Sequence, residues 1–217
     1  MKRQNFTLVE LLTVISIIAI LAGILLPTLG MVKESAKLNK ALTEAKSIHM
    51  AIKSFYNDYK YLPAKDASGG KTNDVVICNA AANTAVGVPA SLTADGTLHN
   101  DYLKLFDVLC CSSTVSGTAE NISDDALKFN SAKKKYLTPA KDYYSSDASS
   151  KGYRDPWGRP YIIYLDTNYD GKIENVNSNF KVPNNTVVDI VAVVSLGRNG
   201  ETIDSKIKVE DLAASWQ

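Results

Sequence analysis

FTLVELLTVISIIAILAGILL, Phe6–Leu26, decides the reading: 21 residues with a single charge, Glu10. A helix of that length rises about 31 Å at ~1.5 Å per residue, close to the ~30 Å hydrocarbon core of a bilayer. This is a membrane segment. Lys2 and Arg3 precede it, and no further charge follows until Glu10. Positive residues stay on the cytoplasmic side, so the C-terminal bulk is expected outside the cytoplasm. A secretory signal peptide shares the basic start, but its apolar region is only ~7–15 residues and ends at a small-residue cleavage site. Here the run is longer and passes through Pro27 into a helical rhythm. A plain uncleaved anchor fits the apolar run as well. Glu10 separates the two readings. A carboxylate at that depth costs about 3 kcal/mol unless it meets a partner or the interface. An anchor has no use for it, whereas a subunit whose neighbours bring a positive group there does.

Phe6-Thr7-Leu8-Val9-Glu10-Leu11-Leu12 closely resembles the cleavage and methylation motif of type IV prepilins and type II secretion pseudopilins. The resemblance implies that a prepilin peptidase cuts between Asn5 and Phe6 and methylates the new amino group of Phe6. It also implies that Glu10 neutralises the amino group of an adjacent subunit during assembly. That pairing is physically sound, because opposite charges attract strongly in a low-dielectric bundle. Asn5 departs from the family, which has Gly before the cut, where a tight protease site needs no side chain.

Beyond Pro27, Leu38, Ala41, Leu42, Ala45, Ile48, Ile52, Phe55 and Tyr59 recur at steps of three and four, with Lys37, Lys40, Glu44, Lys46 and Lys53 mostly between them. The spacing predicts an amphipathic helix that ends near Tyr61-Leu62-Pro63. His49, beside the apolar stripe, is expected to be a packed or surface residue. Residues 64–97 read as a polar, loop-dominated insert holding one short apolar group at Val75–Cys78. Tyr102–Leu109 is a short helix candidate and residues 142–151 are a polar linker. Tyr161–Leu165 and Val187–Val194 are strand candidates, the second apolar on both faces and therefore central.

Asp155-Pro156-Trp157-Gly158-Arg159-Pro160-Tyr161 resembles the DPWG turn of major pseudopilins. Ser195-Leu196-Gly197-Arg198-Asn199-Gly200 resembles their S-L-G-x-D-G loop, with Asn199 for the usual Asp, and Asp211–Trp216 resembles their closing segment. The resemblance covers residues 1–60 and 152–217. It implies an α+β pilin-like fold, a long N-terminal membrane and stalk helix packed on a small antiparallel β head. The expected organisation is a leader at 1–5, a transmembrane segment at 6–27, an amphipathic stalk helix at 28–62, a loop-rich variable region with short helices at 63–151 and an antiparallel β region at 152–217.

Asp166-Thr167-Asn168-Tyr169-Asp170-Gly171-Lys172-Ile173-Glu174 matches the opening of a D-x-[DN]-x-[DN]-G calcium loop. Asp166, Asn168, Asp170, the Lys172 carbonyl and Glu174 are the candidate ligands for calcium. Asn177 stands where a bidentate Glu belongs, and Asp, Asn and Asp-Gly also make hairpin turns unaided. By resemblance a second calcium candidate is the loop from Leu196 to Asp204. Cys110 and Cys111 are adjacent and unsuited to bonding each other. Cys78 either bridges to one of them, closing a loop of more than thirty residues, or all three are buried thiols.

Net charge is +1, so nothing argues for a nucleic-acid partner. Neither His49 nor His99 stands in a nucleophile pattern, and no G-x-S-x-G, P-loop or C-x-x-C occurs. The chain is expected to be no enzyme. The expected function is that of a structural subunit of a type II secretion pseudopilus or a type IV pilus-like filament. Its expected partners are other pilins or pseudopilins, the prepilin peptidase, an inner-membrane assembly platform and membrane lipid. It would sit in a bacterial inner membrane as a single-pass protein, its head in the periplasm or on a surface filament. The competing reading is a monomeric, membrane-tethered calcium-binding or adhesive module.

Overall fold

A computed structural model describes residues 8–63, 74–77, 100–111, 124–138, 153–174, 176, 180–198 and 212–216. The chain divides into two compact units, Met1–Lys37 and Leu38–Gln217. Helix α1 runs Leu8–Tyr59 and contributes to both. It continues through Pro27. A proline costs one i→i−4 hydrogen bond, and the apolar residues on either side keep the helix favourable in a lipid-like setting.

In the first unit the side chains from Leu8 to Leu25 are exposed all round the helix. Ile20 and Ile24 are each 65% exposed. Eighteen residues of helix rise about 27 Å, and this is the stretch long and apolar enough to cross a membrane. Its hydroxyls are tied back to the helix: Thr13 Oγ1 donates to the Glu10 carbonyl at 2.9 Å and Ser16 Oγ to that of Leu12 at 2.8 Å. Such back-bonding leaves a hydroxyl little left to ask of the solvent.

In the second unit the amphipathic period shows as burial: Ala41, Ala45, Ile48, Ala51, Ile52 and Phe55 are buried while Lys40, Lys46 and Met50 face out. This face packs on a four-stranded antiparallel sheet of β1 (Val75–Ile77), β2 (Ile162–Leu165), β3 (Val191–Ser195) and β4 (Ala213–Ala214), in that spatial order. β2 and β3 pair from Ile162 opposite Val194 to Leu165 opposite Val191. Successive side chains alternate between faces. Ile163, Leu165, Val191 and Val193 therefore join the α1 core, which also takes in α2 (Asn100–Cys110). Ile162, Tyr164, Ala192 and Val194 meet Ile173, Val176, Phe180 and Leu212 on the other face. A sheet covered on both sides explains strands without polar alternation. The fold is α+β and pilin-like in construction, a long apolar N-terminal helix with a small antiparallel sheet.

Two details differ from the sequence expectation. The apolar group at Val75 is a strand of the sheet rather than a loop, pairing Val75 with Leu165. The strand foreseen over Val187–Val194 begins at Val191, because Val187 instead forms an isolated bridge with Ile173. Within the variable region lies a short helix, α3 (Asp124–Phe129).

Candidate functional site

The assembly candidates lie at the start of α1. Asn5 and Phe6 fall outside the described residues, and Glu10 occupies the first described turn. An acidic side chain there complements the positive end of the helix dipole. The described residues downstream offer only apolar side chains and back-bonded hydroxyls through Leu25, so Glu10 carries the negative charge of this stretch.

Around the two resemblance segments of the head, the structure builds one bonded unit. Asp155 is buried. Its Oδ1 accepts the backbone N–H groups of Trp157 at 3.0 Å and Arg159 at 2.8 Å. Its Oδ2 receives the Ser195 hydroxyl at 2.6 Å. The Ser195 oxygen in turn accepts the Gly197 N–H at 3.2 Å. Arg159 closes the circuit by donating to the Gly197 carbonyl at 2.7 Å. Gly158, at φ +83°, turns the chain where a side chain would be strained. Burial pushes the Asp155 carboxyl above its ordinary range, against the pull of these donors. The later loop, from Asn199 to Asp204, lies outside the described residues.

The Asp166 loop is a hydrogen-bonded turn. Asp166 is buried and its two oxygens accept from the backbone N–H groups of Tyr169 at 2.6 Å and Gly171 at 2.8 Å. Asn168 Oδ1 accepts from Asp170 N–H and Asp170 Oδ1 from Lys172 N–H. The Lys172 ammonium pairs with Glu174. Sequence reading missed Asp74, which the β1–β2 pairing brings alongside: its Oδ2 accepts the Glu174 N–H at 2.7 Å. Its Oδ1 is buried without a hydrogen-bond partner. Burial, and then the nearby Asp166, Asp170 and Glu174, raise the Asp74 carboxyl above its ordinary range. No group of three or more His, Cys, Asp or Glu side chains among the described residues is placed to hold a metal ion. The loop is a turn here and not a formed cage.

His49 is a packed residue with a partner, Nε2 lying 3.1 Å from Asp189 Oδ2. Cys110 and Cys111 are buried free thiols, and burial pushes the Cys110 thiol up to about 12. Cys78 and His99 lie outside the described residues.

No curated protein and no solved structure matches the chain. Residues 2–26 match the family model of the prokaryotic N-terminal methylation motif, which supports the resemblance to type IV pilins and pseudopilins.

Proposed function

We propose that this chain is a structural, non-enzymatic subunit of a filament rooted in the bacterial inner membrane, a type II secretion pseudopilus in preference to a type IV pilus. The observation that carries the reading is Glu10 within a helix of exposed apolar side chains that bears the methylation motif. A helix apolar all round must be covered by lipid or by other helices, and Glu10 gives such helices a charge by which to register. The secretion branch is favoured by the Asp155–Ser195 and Arg159–Gly197 bonds, which join the two segments that resemble major pseudopilins. In this reading the peptidase cuts before Phe6, methylates it, and leaves the head outside the cytoplasm. Mass spectrometry of the membrane form tests processing: a chain starting at methylated Phe6 is expected, and chains beginning only at Met1 defeat it. Glu10→Ala tests assembly. Removing one member of a buried ion pair costs ~3–5 kcal/mol per site, so crosslinked oligomers should vanish while the head stays folded. Unchanged crosslinking returns the chain to a monomeric tether.

A calcium-binding role is the second reading, favoured by Asp74, which supplies beside the Asp166 loop a carboxylate that the loop lacks at Asn177. Asp74, Asp166, Asn168, Asp170, the Lys172 carbonyl and Glu174 are the proposed ligands, drawn inward by the ion. Calcium should then raise Tm relative to chelator, because binding stabilises only the folded state. Equal melting with and without calcium removes the ion.

A further inference from the structure

The head carries two surfaces of opposite sign. Around the Asp166 hairpin stand, among the described residues, four carboxylates, Asp74, Asp166, Asp170 and Glu174, and the ammonium of Lys172. Asp170 and Glu174 are exposed. The other surface is the loop after α3, with Lys133, Lys134 and Lys135 all exposed, and Lys60 at the end of α1. Among the described residues Lys60 and Lys133 to Lys135 stand there with Asp58: it takes Lys134 at 2.6 Å, and with Lys60 also nearby its carboxyl is held below the ordinary range. In a chain of net charge +1 this is a segregation of charge and not a surplus.

The last turns of α1 hold both surfaces. Tyr56 stacks on Tyr169 of the acidic hairpin at 6.1 Å between ring centroids, and the Tyr169 hydroxyl accepts the Leu62 N–H. Asp58, two residues on, holds Lys134 of the lysine loop. Residues two apart on a helix point about 200° away from each other. The acidic and basic surfaces therefore occupy opposite flanks of the same helix end. Asp58 Oδ2 is taken by Lys134 and by the Tyr136 hydroxyl at 2.7 Å.

We infer that the lysine loop of one subunit docks on the acidic hairpin of a second copy of this chain. The inference rests on the filament reading and deepens it by naming the contact between heads. Two different, complementary surfaces make a head-to-tail contact, which generates open helical polymers where the rotation does not close. Complementary rim charges set register and partner choice more than affinity.

A zero-length carbodiimide, which joins an amine directly to a carboxylate, tests this on the full chain in membranes with chelator present. With mixed isotope-labelled and unlabelled chains, inter-chain peptides linking Lys133 or Lys135 to Asp170 or Glu174 are expected. Lys133→Glu with Lys135→Glu should cut these links and the oligomer ladder at least about tenfold, since like charges brought together are strongly disfavoured. Adding Asp170→Lys and Glu174→Lys in the same chain should restore the ladder. If the unaltered chain forms a ladder whose links join other residues, or the reversed pair leaves it unchanged, this contact is wrong and the filament reading stands. If the unaltered chain forms no ladder at all, the filament reading falls and this contact with it. Failure of the swapped chain to recover, with circular dichroism still native, likewise overturns it.

Discussion

Lys53 Nζ lies 2.8 Å from Asp189 Oδ2, so the second half of α1 is pinned to the turn that leads into β3. His49, one helical turn earlier, reaches the same oxygen. Asp189 Oδ1 accepts the Ile190 N–H. Burial works against ionisation, but the hydrogen bonds from Lys53 and His49 prevail and hold the carboxyl below its ordinary range. A depressed carboxyl stabilises the fold above the unfolded value of ~3.9, and that contribution is lost as pH falls through the folded one. Asp189→Ala should lower stability by about 1 kcal/mol at pH 7, and the gap to the unaltered head should close below about pH 4. Denaturant melts of the soluble head at both pH values measure it.

Asp155 gives a larger effect. It is buried and satisfies two backbone N–H groups and one hydroxyl. Asp155→Ala orphans these donors, at ~1–3 kcal/mol each where they stay buried. A loss of at least about 2 kcal/mol in head stability is expected. Asp155→Asn keeps acceptor capacity at one oxygen and should lose less. Equal losses in the two variants would show that the hydrogen bonds do not carry the effect.

Asp74 runs the other way. Its carboxyl is raised in the fold, so its charged form is disfavoured relative to the unfolded chain. The cost is present above the folded value and disappears as pH falls below the unfolded one. Asp74→Asn in chelator should stabilise the head at neutral pH, by less than about 1 kcal/mol given its partial exposure. Calcium added to the unaltered head but not to the variant should reverse the order if the ion binds there.

Cys110 should resist alkylation in the native head, because burial both hides the thiol and holds it protonated near neutral pH. Peptide mapping after iodoacetamide at pH 8 should find it modified only in denaturant. Rapid native labelling would place the residue at the surface.

What the sequence made legible were the features set by periodicity. The stripe Ala41, Ala45, Ile48, Ile52 and Phe55 announces α1's buried face, because burial imposes a period on the residues it selects, and the apolar run Tyr161–Leu165 announces a strand. Val75–Ile77 escaped notice as a strand. Three apolar residues in a polar insert have no period, and only pairing with Ile163–Leu165 makes them a strand. Asp74 was invisible for the same reason, since its place beside Glu174 depends on a contact across 100 positions of chain. His49 is legible only as a packed or surface residue; its partner Asp189 lies 140 residues away and no local pattern marks it. The methylation motif is legible because it is written in consecutive residues, and residues 2–26 match it as such.

Among the described residues the sheet's outer strands are three and two residues long, β1 at Val75–Ile77 and β4 at Ala213–Ala214. An edge so brief offers a visiting strand too few backbone donors and acceptors to template growth. For a protein that the membrane would concentrate in parallel copies, this guards against amyloid-type stacking of heads. Such short edges favour joining by side chains and helices, which can be released and reused, over a continuous backbone ladder.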